Sequence, residues 1–182
     1  TQIWMVENLK VTKYNDGTSI PLITDNVEWG NMKTPAYCWY NNDATTYKVE
    51  YGALYNWFTV DTKKLCPKGW HVSTPSDWSA MINMLGGPGL THYVPYNGGG
   101  ILEIPDFDHK LKETGTAHWI HDDKNVTNES SFTALPGGER EVNLSFPERN
   151  GKFQNIGSWG YWWAGEHQRY YIQSSALNYE DG

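Results

Sequence analysis

His118, His121, Asp122 and Asp123 fall in one short stretch of this chain, and imidazoles beside carboxylates are the side chains that hold a transition metal. A spacing of three would put both histidines on one helical face. The stretch AHWIHDDKN has little apolar content besides Trp119 and Ile120, so it reads as a polar loop without helical period. His71, in Gly69-Trp70-His71, has the side chain for acid–base work. A triad needs nucleophile, base and orienting group in contact, and no serine or cysteine partner can be placed beside it from sequence. His71 therefore reads as a loop-fixing residue. Glu103, Asp106 and Asp108, with Asn97, offer oxygen ligands for calcium, but their spacing is not that of an EF-hand loop. Cys38 and Cys66 permit one disulfide, and no CxxC or Cys/His spacing points to zinc.

The C-terminal aromatic block is richer. Trp159, Tyr161, Trp162, Trp163, Tyr170, Tyr171 and Tyr179 are interleaved with Glu166, His167, Gln168, Arg169, Gln173 and Asn178. If Gly160–Ala164 is a strand, Tyr161 and Trp163 point to one face and Trp162 to the other. One face must be core. The other would present aromatic surface with polar neighbours, which suits stacking on sugar rings or a protein hot spot. Trp159, Tyr161, Trp163, Glu166, Arg169, Tyr171 and Asn178 form the candidate ligand-binding set. Tyr170, Arg169 and Asn178 are the residues that the needs of a core explain least.

Something must position these residues. The chain has 182 residues, of which 38% are hydrophobic, 15% aromatic and 19% charged. Leu, Ile, Val and Phe are few, but 10 Trp and 12 Tyr supply the missing apolar area. That describes one globular domain built on aromatics. A net charge of −7, with no basic run longer than Lys63-Lys64, leaves nucleic acid without an electrostatic footing. No apolar run approaches the roughly 18 residues a membrane helix needs. Low Lys with abundant Trp, Tyr, Asn and Gly leans toward an extracellular protein.

Local signals sketch the elements. Ile3–Val11 reads as a strand running into a loop, and Ile20–Ile23 as a short extended piece. Tyr37–Tyr40 is β-prone and ends in the turn Asn41-Asn42-Asp43. Tyr51, Leu54, Trp57 and Phe58 have the offsets of one helical face, which predicts a helix over Tyr51–Val60. The strongest signal follows: Thr74 as cap, Pro75 in the first turn, Asp77 three residues after the cap, and a stripe of Trp78, Met81, Ile82 and Leu85. Gly86-Gly87-Pro88-Gly89 stops that helix. Beyond residue 90 no helical period survives, and Ser131–Ala134, Gly160–Ala164 and Tyr170–Gln173 are short strand candidates. The order predicts an α+β fold.

Several blocks carry a family signature. They are Trp4-Met5-x-Glu7-Asn8-Leu9, Tyr37-Cys38-Trp39-Tyr40-Asn41-Asn42-Asp43 with Tyr51-Gly52-Ala53-Leu54-Tyr55-Asn56-Trp57, and Leu65-Cys66-Pro67-x-Gly69-Trp70-His71-Val72 with Trp78 and Leu85-Gly86-Gly87. Phe132-x-Ala134-Leu135-Pro136-Gly137-Gly138-x-Arg140 and Gly160-Tyr161-Trp162-Trp163 complete them. Together they resemble the Fibrobacter succinogenes major paralogous domain, as seen in secreted proteins and lipoproteins of Bacteroidetes. The resemblance implies a C-type-lectin-like fold, with two helices on a small twisted antiparallel sheet and long loops forming a ligand surface. It implies a single domain over residues 1–182 that lacks its first and last strands. It places the protein outside the cell or on the outer-membrane surface. The expected function is non-catalytic binding of a glycan or a cell-surface protein ligand through the C-terminal loops. No cofactor is expected; lectin-like folds often carry calcium, so a structural calcium is the ion the resemblance allows. A structural subunit of a larger extracellular assembly is the alternative. An enzyme akin to formylglycine-generating enzymes is a further reading, but Cys38 and Cys66 sit in scaffold blocks and not in a late paired motif.

Overall fold

The structure, a computed structural model, describes residues 2–87, 92–96, 99–103, 107–143, 146–165 and 167–173, with backbone only for 92–96 and 99–103. Side-chain caps set the early elements. Helix α1 (Asn26–Asn31) starts where the Asp25 carboxylate accepts the Glu28 N–H, and it seats Trp29 in the interior. Strand β1 (Tyr37–Cys38) runs into a 3-10 turn, Tyr40–Asn42, in which Asn41 and Asn42 take left-handed φ values of 50° and 56°. Asp43 then caps helix α2 (Ala44–Tyr51) by accepting from the Thr45 and Thr46 N–H groups.

Tyr51–Val60 is not one helix. Helix α2 stops at Gly52, which has φ +71°, and a Cβ there would stand 2.7 Å from the Leu9 carbonyl oxygen. Strand β2 (Leu54–Tyr55) follows and pairs antiparallel with β1. Asn56 caps a new helix, α3 (Trp57–Asp61), through the Thr59 N–H. The helical spacing in this stretch is accidental, and Phe58 is 37% exposed.

Helix α4 (Pro75–Met84) matches its local signals. Thr74 accepts the Asp77 N–H, the Asp77 carboxylate accepts the Thr74 N–H, and Trp78, Met81 and Ile82 are buried. Burial works to raise the Asp77 pKa, but hydrogen bonds from Thr74 and His71 outweigh it and hold the carboxyl below its ordinary 3.8. A carboxyl depressed in the folded state adds stability that is present above pH 3.8 and lost as pH falls through the lowered value. Asp77→Ala should therefore cost about 1 kcal/mol at neutral pH, and the cost should shrink in acid. Urea denaturation of both proteins at pH 7 and pH 3 checks this; equal losses at the two pH values would refute it.

The second half is strands and loops: β3 (His92–Tyr96), β4 (Gly99–Glu103), β5 (Gly137–Arg140), β6 (Phe153–Ile156), β7 (Trp159–Trp163) and β8 (Gln168–Gln173). Strands β5 and β6 form a two-stranded sheet, and the largest sheet has the order β3-β4-β8-β7. The fold is α+β, with one correction to the antiparallel expectation. Strands β4 and β8 pair parallel, Leu102 opposite Tyr170, because the long chain segment between them lets β8 return in the same direction. Among the described residues four short α-helices stand in place of the expected two. Ile3–Val11 forms no strand, and Ser131–Ala134 contributes only an Ala134–Lys112 bridge, since Ser131 and Thr133 adopt positive φ. Aromatics dominate the main core, where Trp78, Trp119, Phe132 and Tyr170 pack with Met81, Ile82, Leu111 and Ile172.

Candidate functional site

The register of β7 with β8 sorts the aromatic block. Trp162 lies opposite Tyr170 and Gly160 opposite Ile172, and Tyr170 and Ile172 are fully buried. Trp162 joins them, its ring 5.6 Å from Phe132 and its indole N–H donating to Asn8 Oδ1 at 3.2 Å. Tyr170 is thus a core residue, contrary to expectation, because it stacks on Trp78 at 4.4 Å. Trp159, Tyr161, Trp163, Arg169 and Tyr171 alternate with these residues and share the opposite side of the hairpin. All five are half-buried.

Three rings and a polar trio make up the outer patch. Trp159 and Tyr161 are nearly parallel, 12° apart with centroids at 6.0 Å, and Tyr171 lies 4.9 Å and 6.4 Å from them. The Arg169 guanidinium sits 4.7 Å from the centre of the Tyr161 ring and bonds Glu139 at 2.7 Å. Asn155 donates to Glu139 at 3.2 Å and lies 3.2 Å from the Tyr161 hydroxyl. Burial, reinforced by the Glu139 charge, pushes the Tyr161 phenol well up, so it stays a neutral hydroxyl. The patch offers flat rings beside oriented hydrogen-bonding groups, and its Arg169 guanidinium is matched by the Glu139 carboxylate.

Trp163 lies further along β7, in a separate aromatic group. Its indole N–H donates to the Tyr55 carbonyl at 3.0 Å, its ring is 5.7 Å from Trp57, and His167 stacks on Trp57 at 4.9 Å. Glu166 and Asn178 lie outside the described residues, as do Asn97, Asp106 and the Glu103 side chain. Glu139, Asn155 and Trp57 are the site neighbours that sequence reading missed. Pairing of β5 with β6, and packing of β5 on β7, bring Glu139 and Asn155 to the patch.

The other candidates resolve differently. His71 Nε2 is 3.0 Å from Asp77 Oδ2, so it braces the start of α4. The nearby Ser73 hydroxyl donates to the Trp163 carbonyl and accepts from the Trp78 indole. His118 Nδ1 pairs with Glu113 at 2.8 Å, while Asp123 pairs with Lys112 at 3.6 Å. No group of three or more His, Cys, Asp or Glu side chains is placed to hold a metal among the described residues. Asp108 accepts the Tyr170 hydroxyl at 3.2 Å. Both cysteines are free thiols; burial pushes Cys38 up to about 12 and raises Cys66 as well.

A cavity of about 570 Å³ lies beside β7, between the segment at residues 2–9, the stretch at 51–55, the loop at 65–73 and the loop at 132–138. Trp4, Leu9, Tyr51, Leu65, Trp70 and Trp162 give it largely apolar walls. No motif in the sequence signals it, because segments far apart in the chain build it.

The model of the Fibrobacter succinogenes major domain matches residues 1–179. The chain belongs to this family. No curated protein and no solved structure matches it. The signature residues of this Fibrobacter succinogenes major domain are largely builders. Trp4 packs 4.9 Å from Trp78, Asn8 ties the N-terminal segment to Trp162 and to the Tyr51 carbonyl, and Arg140 links distant loops. Glu139 occupies the unspecified position of the Gly-Gly-x-Arg block and faces the outer patch, beside Arg169. No described helix of the domain is long and apolar enough to cross a membrane.

Proposed function

We propose that this domain is a non-catalytic recognition module of lectin-like architecture, carried outside the cell or on its outer surface, which binds a glycan through the outer side of the β7–β8 hairpin. The observation that carries the reading is the cluster of Trp159, Tyr161 and Tyr171 beside Glu139, Asn155 and Arg169. Sugar rings have apolar faces for the aromatics and hydroxyls for the carboxylate, amide and guanidinium. The polar trio is already hydrogen-bonded, so little ordering is required when a ligand lands. Helix α4 against the largest sheet, with long loops in the second half, supports the lectin-like reading. The high thiol pKa values and the engaged Ser73 hydroxyl support the absence of covalent catalysis.

A glycan and polysaccharide array, run with calcium and again with chelator, tests this. Trp159→Ala or Tyr171→Ala should each weaken binding by about 2 kcal/mol, roughly 30-fold, with thermal stability nearly unchanged. Loss of binding with chelator would add a calcium ion to the site. A blank array in both conditions would overturn the glycan reading and leave a cell-surface protein or a larger extracellular assembly as the partner. Protease shaving of intact cells checks the location.

A further inference from the structure

Lys112 is 1% exposed, yet its Nζ has no hydrogen-bond partner among the described residues. A buried ammonium left in that state is costly. The group lies 4.6 Å from the centre of the Trp119 ring and 3.6 Å from Asp123 Oδ2. That distance allows attraction but lies outside hydrogen bonding. Asp108 also acts on this charge. The backbone fixes the arrangement: the Lys112 N–H donates to the Asp108 carbonyl, Lys112 bridges Ala134, and the Trp119 indole donates to the Ala134 carbonyl. One loop thus brings an amine, two carboxyl groups and an aromatic wall together.

An amine sealed from solvent can react only with what packs on it. Burial pushes the Lys112 ammonium below its ordinary pKa, with Asp123 and Asp108 opposing, and so raises the share of neutral amine. Asp123 holds a carboxyl group within ion-pair distance of it, and its side chain is 13% exposed, which leaves water an exit. Fixed proximity replaces the encounter that makes amide formation slow in solution.

We propose that Lys112 Nζ and Asp123 Cγ condense into an intramolecular amide bond, with Asp108 as the proton carrier. The neutral amine attacks Cγ of protonated Asp123 and an N–C bond forms. Asp108 takes a proton from the nitrogen and returns it to the departing oxygen. The C–O bond breaks and water leaves. One amine and one carboxylic acid give one amide and one water, without oxidant, reductant or cofactor. The bond closes the loop over Trp119, which would resist proteolysis, and it does not depend on the recognition reading.

The intact mass of the folded 182-residue chain, measured after denaturation, decides the matter. The expected mass is that of the sequence less one water, with a proteolytic fragment joining Lys112 to Asp123. Lys112→Arg should restore the full sequence mass, and Asp108→Asn should leave the bond unformed. Asp123→Asn should give the same linked product with loss of ammonia. A wild-type chain that is folded by near-ultraviolet circular dichroism and has the full sequence mass would overturn the proposal. So would a water loss that maps to a succinimide at Asp16-Gly17 and not to Lys112.

Discussion

Arg140→Ala should lower the stability of this domain by about 3–5 kcal/mol, because one buried and three part-buried acceptors lose their donor at once. Arg140 is 7% exposed. Its guanidinium donates to the carbonyls of Ile23, Thr24 and Gly151 and to Asn26 Oδ1, at 2.6 to 2.9 Å. The rings of Trp29 and Phe153 lie 4.7 and 4.6 Å from it. This one side chain ties β5 to the loop before α1 and to the turn at Gly151. That turn approaches so closely that a Cβ on Gly151 would stand 2.0 Å from the Asn26 carbonyl oxygen. Arg140→Lys keeps the charge but loses the planar fork, so it should still cost about 2 kcal/mol. At about 2–4 °C per kcal/mol, the alanine variant should melt roughly 6–20 °C lower. A loss below about 1 kcal/mol would show that water replaces the guanidinium at these carbonyls.

Trp78→Ala should cost a similar ~3–5 kcal/mol through a different mechanism, an unfilled cavity. Trp78 is wholly buried. Its ring stacks on Tyr170 at 4.4 Å and meets Trp4 and Phe132 at 4.9 and 5.6 Å. In a chain with few aliphatic residues no neighbour can collapse into that volume without moving another large ring. The indole N–H also donates to Ser73 Oγ at 3.0 Å, and Ser73 holds the Trp163 carbonyl. Trp78→Phe keeps a ring against Tyr170 but drops that donor, so about 1–2 kcal/mol is expected. Trp78 lies in the main core while Arg140 stacks on Trp29 and Phe153 of a separate buried cluster, so their losses should add within about 0.5 kcal/mol. Denaturant titration of both single variants and the double variant measures all of this. A Trp78→Ala protein as stable as the parent would mean that the main core is loosely packed.

These two variants act on stability, whereas Trp159→Ala and Tyr171→Ala act on the outer patch. That difference was only half legible in the sequence. Alternation along β7 assigned Tyr161 and Trp163 to one side and Trp162 to the other, and the structure agrees. Which side faced the core depended on Trp78 lying against Tyr170. Tyr170 had looked like surface, because a tyrosine beside Arg169 carries no local mark of burial.

The elements that sequence alone determined have their causes within a few residues of each other. Thr74, Pro75 and Asp77 cap α4 whatever lies across the molecule, and Asn41-Asn42-Asp43 turns the chain because asparagine tolerates positive φ. The family, too, was readable from its blocks. Tertiary structure decided the rest. Gly52 breaks the apparent helix because the Leu9 backbone presses on it, and β4 pairs parallel with β8 because the intervening segment is long enough to bring the chain back. Glu139 meets Arg169 across a pairing that no window of sequence contains. A cap or turn competes only with its neighbours' hydrogen bonds, so it is local. A buried face or a charge pair is fixed by which distant surfaces come together, and that depends on the packing of the whole chain.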